Sequence, residues 1–200
     1  MIPKRLFSKI CSLQRRVQRR TNHFHLANIG AIPLRAFSIG CGCQLHVPVR
    51  TDGEGTLTIE RSCNFGYWQA PRFGNGEVLL QPRLPISQLT IGQGTHISNN
   101  VTVIAMSSIT IGANCLVGDR ATIIDSDFHG IEPAQRHTQG VAQPVTISDN
   151  AWIGSQATIL KGVTIGENSV IAAQSVVTTN VPPNCIAAGS PAKVVRTFFK

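Results

Sequence analysis

Charge is scarce in this 200-residue chain: Asp, Glu, Lys and Arg make up 14% of it, against about 25% in an average soluble protein. Together with 18 glycines and 11 prolines, that scarcity argues against a helical bundle and for turn-rich β structure. The chain also lacks any apolar run near the roughly 20 residues that a membrane-spanning helix requires. Its basic start is not followed by an apolar block and a small-residue cleavage site, so no secretory signal is expected and the cytoplasm is the expected compartment. None of the six cysteines, at 11, 41, 43, 63, 115 and 185, stands in a C-x-x-C pair, which argues against a zinc site and for reduced thiols.

Acid is absent from residues 1–36, which hold eight of the 18 Lys and Arg. The rest of the chain is balanced, ten cations against ten acids. The net charge of +8 therefore belongs to an N-terminal arm. A basic stripe across a folded domain, the footprint of a nucleic-acid module, is missing, and no nucleic-acid partner is expected. Within the arm, Ile2, Leu6, Ile10, Leu13 and Val17 recur at helical spacing among Lys4, Arg5, Lys9, Arg15, Arg16, Arg19 and Arg20. A helix of this kind suits contact of residues 1–20 with an anionic membrane surface, or packing on the rest of the protein with its cations solvated.

What the chain has in abundance is a period of six. Aliphatic residues recur at Ile91, Ile97 and Val103, at Ile111, Val117 and Ile123, and from Ile147 through Ile153, Ile159, Ile165 and Ile171 to Val177. The residue two positions earlier is always small or aliphatic, as at Leu89, Thr95, Cys115, Ala157 and Ser169. Residues two apart in a strand share a face, so each pair points inward. Gly at 92, 112, 118, 154 and 166 is read as permitting the corner that follows. Three short strands make one triangular coil of eighteen residues, and coils stack by backbone pairing. A helix would need a period of 3.6, and a propeller blade about 40 residues.

Runs such as Ile111-Gly112-Ala113-Asn114, Ile153-Gly154-Ser155-Gln156 and Ile165-Gly166-Glu167-Asn168 resemble the hexapeptide repeat of bacterial acyltransferases. The resemblance implies an all-β solenoid, a left-handed parallel β-helix. The expected organisation is a basic, helical arm over 1–36, irregular first coils and a loop over 37–88, the β-helix over 89–190 and a C-terminal tail over 191–200. One loop, 124–144, interrupts the repeat.

That loop reads Ile124-Asp125-Ser126-Asp127-Phe128-His129-Gly130 at its start. It resembles the active-site loop of hexapeptide O-acetyltransferases acting on sugars and surface polysaccharides, the maltose, galactoside and nodulation group, in which His129 takes the place of the general base. A sugar hydroxyl ionises far above neutrality, and a histidine with an ordinary pKa of about 6.5 is a neutral acceptor for its proton. Asp127 or Asp125 is expected to orient the ring, as a carboxylate does in hydrolase triads. His137 reads as an ordinary loop histidine. Gly130 departs from the proline that often follows the histidine in the family.

Other roles follow from the resemblance alone. Trp152 becomes a wall of the acceptor cleft, with Asn100 or Asn99 contributing a polar contact from the coil before the loop. The segment Val181 to Arg196 matches the family's terminal coils, which hold CoA, and makes Ser155, Ala173, Thr178, Lys193 and Arg196 cofactor contacts. Thr179 stands where many relatives have lysine. The family implies acetyl-CoA as co-substrate, no metal, a sugar or glycan acceptor and a homotrimer with sites between neighbouring prisms. The γ-type carbonic anhydrases share the fold, but His96, His129 and His137 lack their ligand spacing. Acetylation of an amino-sugar nitrogen and a catalytically silent scaffold are the alternatives.

Overall fold

The computed structural model describes residues 34–66 and 76–198. The helical reading of the arm and the membrane contact of residues 1–20 lie outside the described residues, as do positions 67–75 of the expected loop.

The described chain is a three-sided prism. One sheet stacks Ala36–Ile39, Thr56–Ile59, Gln88–Ile91, Ser108–Ile111, Val145–Ile147 and Thr164–Ile165. The second stacks Gln44–Leu45, Asn64–Phe65, His96–Ile97, Leu116–Val117, Trp152–Ile153, Val170–Ile171 and Cys185–Gly189, with Ala192–Thr197 as its last strand. The third runs Val49–Arg50, Val78–Pro82, Thr102–Ala105, Thr122–Ile124, Thr158–Ile159 and Val176–Val177. All pairings within these sheets are parallel and in register except the last of the second sheet. This is the left-handed parallel β-helix that the repeat resembles.

Register puts like residues over like. Ile59, Ile91, Ile111, Ile147 and Ile165 form one inward column. Leu80, Val103, Ile123, Ile159 and Val177 form another. All are buried. Each such side chain is worth roughly 1.5–3 kcal/mol when taken out of water, and the period of six exists because each eighteen-residue coil must fill a column on each of three sheets.

The glycines after the inward aliphatic do not make the turn. The left-handed backbone lies two residues further on, at Asn100, Asn114, Arg120, Asn150, Gln156, Asn168 and Gln174, with φ between 54° and 61°. What those glycines provide is closeness between coils: a Cβ on Gly118 would lie 2.5 Å from the Ser155 nitrogen, and one on Gly154 2.5 Å from the Ala173 nitrogen. Asparagine supplies four of these seven turns, and its short polar side chain tolerates that conformation.

Regular coils also extend upstream of Leu89. Residues 36–65 and 78–82 fill the same three sheets, although glycine and proline obscure their period. At the other end, Ala192–Thr197 folds back antiparallel on Cys185–Gly189. The expected tail is thus a hairpin that covers the last parallel edge, where unpaired backbone groups would otherwise face water.

One corner is built from hydroxyls and thiols. One column of the second sheet, at or just before the start of each parallel strand, points inward: Cys43, Cys63, Thr95, Cys115, Ala151, Ser169 and Cys185. Thr95 Oγ1 donates to the Gly112 carbonyl at 2.7 Å, Cys115 Sγ to Ser148 at 3.2 Å and Ser169 Oγ to Pro182 at 2.7 Å. Corner carbonyls outside the strand ladders thereby gain donors from the side chains of adjacent coils.

Candidate active site

The third sheet ends at a corner where the chain normally passes straight to the first sheet. After Thr122–Ile124 it leaves the prism instead and returns at Val145. The excursion is a short irregular hairpin. Gln143 N–H donates to the Asp125 carbonyl at 2.8 Å, Asp127 N–H to Val141 at 3.2 Å and Gly130 N–H to Thr138 at 3.1 Å. A 3-10 turn, Pro133–Gln135, makes its tip, and nothing in that turn is buried.

At the hairpin's first bend the His129 N–H donates to the Asp127 carbonyl at 2.7 Å across Phe128, whose φ is 62°. This is a γ-turn in its rare form, which costs backbone energy in a residue with a bulky side chain. Two contacts hold it. Ser126 Oγ accepts the Phe128 N–H at 3.0 Å, and the Arg83 guanidinium lies over the Phe128 ring at 4.9 Å. Gly130 follows because a Cβ there would sit 2.3 Å from the Gln135 carbonyl oxygen. Its N–H is also used, and a proline in its place would lack that donor.

The turn presents His129 to solvent, with Nδ1 3.0 Å from the Arg136 carbonyl oxygen. A carbonyl only accepts, so Nδ1 is the donor of this contact, and in the neutral ring the lone pair lies on Nε2. Neither expected carboxylate orients the ring. Asp125 is fully buried, and its two oxygens accept the N–H groups of Met106 at 2.7 Å and Ser107 at 2.8 Å. It pins the hairpin's root to the preceding coil. Asp127 is ion-paired with Lys161. The orienting group is a main-chain oxygen.

Below His129 is an open pocket of about 620 Å³. The hairpin contributes Asp127, Phe128, His129 and Arg136; the coils contribute Ile124, Leu160, Lys161 and Thr178. Two cations, one carboxylate ion-paired with the Lys161 cation, and an apolar floor line the pocket together with His129. This lining suits a polar or anionic molecule.

The structure divides the expected site residues. His129, Asp127 and Thr178 share the pocket. Asn99, Ser155 and Ala173 recur one above another at the corner between the second and third sheets, with Asn100 beside them. Asn100 Nδ2 donates to Asp119 at 3.2 Å. Trp152 stands on the outer face of the second sheet, 52% exposed, beside Leu116 at 45%. Lys193 and Arg196 are exposed on the terminal strand. None of these lines the pocket within one chain. His137 is exposed outside it, and His96 pairs with Asn64 Nδ2 at 3.4 Å, its pKa lowered by burial. Among the described residues no group of three or more His, Cys, Asp or Glu side chains is placed to hold a metal ion.

Sequence reading missed Lys161, Phe128, Arg83 and the Arg136 carbonyl. Lys161 was findable: it follows Ile159-Leu160 as Asp125 follows Ile123-Ile124, so the repeat sets it beside the root of the loop. Arg83 carries no such signal.

Comparison with known proteins agrees with the fold. The family model described as bacterial transferase hexapeptide (six repeats) matches residues 144–179, and that of the hexapeptide repeat of succinyl-transferase matches 108–132. The galactoside O-acetyltransferase of Escherichia coli is 38% identical over 110 residues, covering 55% of this chain and 54% of that one. Among solved structures, a polysialic acid O-acetyltransferase superposes with a TM-score of 0.66 at 25% identity, covering 86% of this chain and 84% of its own. A galactoside acetyltransferase in complex with coenzyme A gives 0.53 at 30% identity, covering 78% and 66%. The chain spans about half the length of the curated relatives it matches.

Proposed function

From a chain that belongs to the hexapeptide-repeat acetyltransferases, we propose an enzyme that moves an acetyl group from acetyl-CoA to a hydroxyl of a sugar or surface-glycan precursor. The observation that carries the proposal is the exposed His129 ring on the wall of the pocket, with Nδ1 tied to the Arg136 carbonyl. Nε2 takes the proton of the acceptor hydroxyl as its oxygen attacks the thioester carbonyl carbon. The tetrahedral adduct then collapses, the carbon–sulfur bond breaks, and the leaving thiolate takes the proton back from the imidazolium. The relatives named for galactoside and polysialic acid support a sugar acceptor, and the coenzyme A complex of one supports the donor. Release of CoA thiol over a panel of free, nucleotide-linked and polyprenyl-linked sugars tests the reading. Acetylation of an amine alone, with no hydroxyl acceptor in the panel, would overturn the hydroxyl assignment.

The same proposal includes a homotrimer. One prism leaves the pocket open along a side, and excluding water from the reacting atoms needs a further wall. Trp152 and Leu116 form an exposed apolar pair on another face, which a neighbouring prism would cover. The expected contacts Asn99, Asn100, Ser155, Ala173, Lys193 and Arg196 then reach substrates from the edge or from the adjacent copy. Sedimentation equilibrium decides this: an active monomer would refute it. Contact of residues 1–20 with an anionic membrane, tested by liposome flotation with and without them, and a cytoplasmic location complete the proposal. No helix among the described residues is long and apolar enough to cross a membrane.

A further inference from the structure

The thiol-lined corner is not uniform. Cys115 is fully buried, and burial raises its pKa. At the start of the prism the arrangement differs, because two cysteines follow one another in the column. Gln44 pairs with Asn64, so Cys43 and Cys63, one residue earlier, face each other across adjacent coils. The Gln44 N–H donates to the Cys63 carbonyl at 2.9 Å, which confirms that register. In-register Cα atoms of neighbouring strands are about 4.8 Å apart, inside the span that a disulfide bridges. Both sulfurs converge on one atom: Cys43 Sγ lies 3.1 Å and Cys63 Sγ 3.3 Å from the Glu60 carbonyl oxygen. Access is unequal, since Cys43 is half-buried and Cys63 fully buried. The next position in the column is Thr95, which confines the pair to the first two coils.

We infer that Cys43 and Cys63 form a peroxide-sensitive thiol pair, in which Cys43 is the attacking sulfur and Cys63 the resolving one. The thiolate, and not the thiol, is the nucleophile. A hydrogen bond with the Cys63 thiol, helped by the Cys63 and Ser62 amides, outweighs burial and holds the Cys43 thiol down to about 7. The same hydrogen bond, followed by burial, pushes Cys63 well above the ordinary thiol range. One sulfur of the pair is thus partly ionised near neutrality while its neighbour keeps its proton.

The chemistry balances with hydrogen peroxide as the oxidant. The Cys43 thiolate attacks one peroxide oxygen; an S–O bond forms, the O–O bond breaks, and hydroxide leaves to become water on taking a proton. Oxidation of Cys43 removes the thiolate whose hydrogen bond held the Cys63 proton; that proton goes to the departing hydroxyl of the sulfenic acid as the Cys63 sulfur attacks the Cys43 sulfur, so the S–S bond forms, the S–O bond breaks and a second water leaves. Two thiols lose two electrons and one peroxide gains them. The product ties the first coil to the second, at the end of the prism opposite the terminal hairpin.

The test uses the full chain, a small excess of hydrogen peroxide at neutral pH, and peptide mapping by mass spectrometry. The expected product is a Cys43–Cys63 cross-linked peptide that dithiothreitol returns to two thiols. In Cys63→Ser, Cys43 should stop at the sulfenic acid and be captured by dimedone. In Cys43→Ser, Cys63 should remain reduced. Because Cys63 fills the interior, a measurement on the unaltered chain stands beside the variants: alkylation of Cys43 by iodoacetamide should be several-fold faster than that of exposed Cys41 near pH 7. Oxidation confined to Cys41, or equal alkylation of Cys41 and Cys43, would overturn the inference.

Discussion

The stacked coils and the hairpin at 124–144 belong to one chain but are ordered by different means. In the coils, position follows from side chains: aliphatic columns at or near zero exposure, and glycines whose backbone lies against the next coil. In the hairpin, residues 131–139 are all exposed, and position follows from the main chain. Its geometry rests on carbonyl and amide partners, from the Asp127–His129 γ-turn to the Arg136 oxygen at the imidazole. The contrast teaches where chemistry is housed in a solenoid. A coil has no room for a side chain that departs from the column, whereas an excursion can aim one side chain freely, provided its root is fixed.

The sharpest way to separate the two regions is to remove the proposed base. His129→Ala should lower turnover about 10²–10⁴-fold, the usual worth of a general base, and leave thermal unfolding and CoA affinity near those of the unaltered chain. His129→Asn keeps a hydrogen bond but takes no proton, so it should not restore the rate, and the ascending limb of the pH profile should vanish in both. Turnover that survives either change, measured with the true acceptor, would return the search for the base to His137 or His96. The converse substitution is Ile123→Ala, one residue inside the hairpin's root. It should cost about 2–5 kcal/mol of stability in denaturant unfolding, and the properly folded fraction should keep its chemistry. An equal loss of turnover per folded molecule would mean that coil and hairpin are not separable.

Asp125 lies on the boundary. Asp125→Asn retains one acceptor oxygen and sets an amide donor against a backbone N–H, at a cost of about 1–3 kcal/mol for a buried group left unpaired. The expected readout is a lower unfolding midpoint with a modest change in turnover. A collapse of turnover at unchanged stability would restore the triad-like role that the geometry assigns elsewhere. The smallest effect is expected at Arg83, which reaches the site only through Phe128. A cation over a ring at an exposed position contributes about 0.5–1 kcal/mol, so Arg83→Ala should reduce kcat about two- to fivefold with KM unchanged. Phe128→Gly, which removes the strained side chain together with its ring contact, should make the rate insensitive to Arg83.

The same contrast explains how much could be read from sequence. Ile153, Ile159 and Ile165 announce the fold because burial selects their type, and type is what a sequence records. His129 was legible as a candidate because a base must be a titratable side chain. Its orienting partner was not, since a carbonyl oxygen belongs to every residue and Arg136 contributes nothing of its own side chain to the bond. Asp125 misled for a related reason. A carboxylate beside a histidine in sequence suggests a pair, but its partners are two amides of the preceding coil, and only lateral register reveals them. The glycines after the inward aliphatics were correctly located and wrongly explained, because turn and close approach both favour glycine and only the backbone angles distinguish them.

The bond between the Gln143 amide and the Asp125 carbonyl brings the departure and return points of the hairpin together. To the prism, everything between them is a closed bracket: lengthening, shortening or replacing it leaves both attachment points where they are. An excursion of this kind is an interchangeable part, and a lineage could alter what the pocket accepts by editing the bracketed segment while the coils went on stacking as before. The same property makes residues 126–142 a natural unit for grafting onto another prism that offers the same corner.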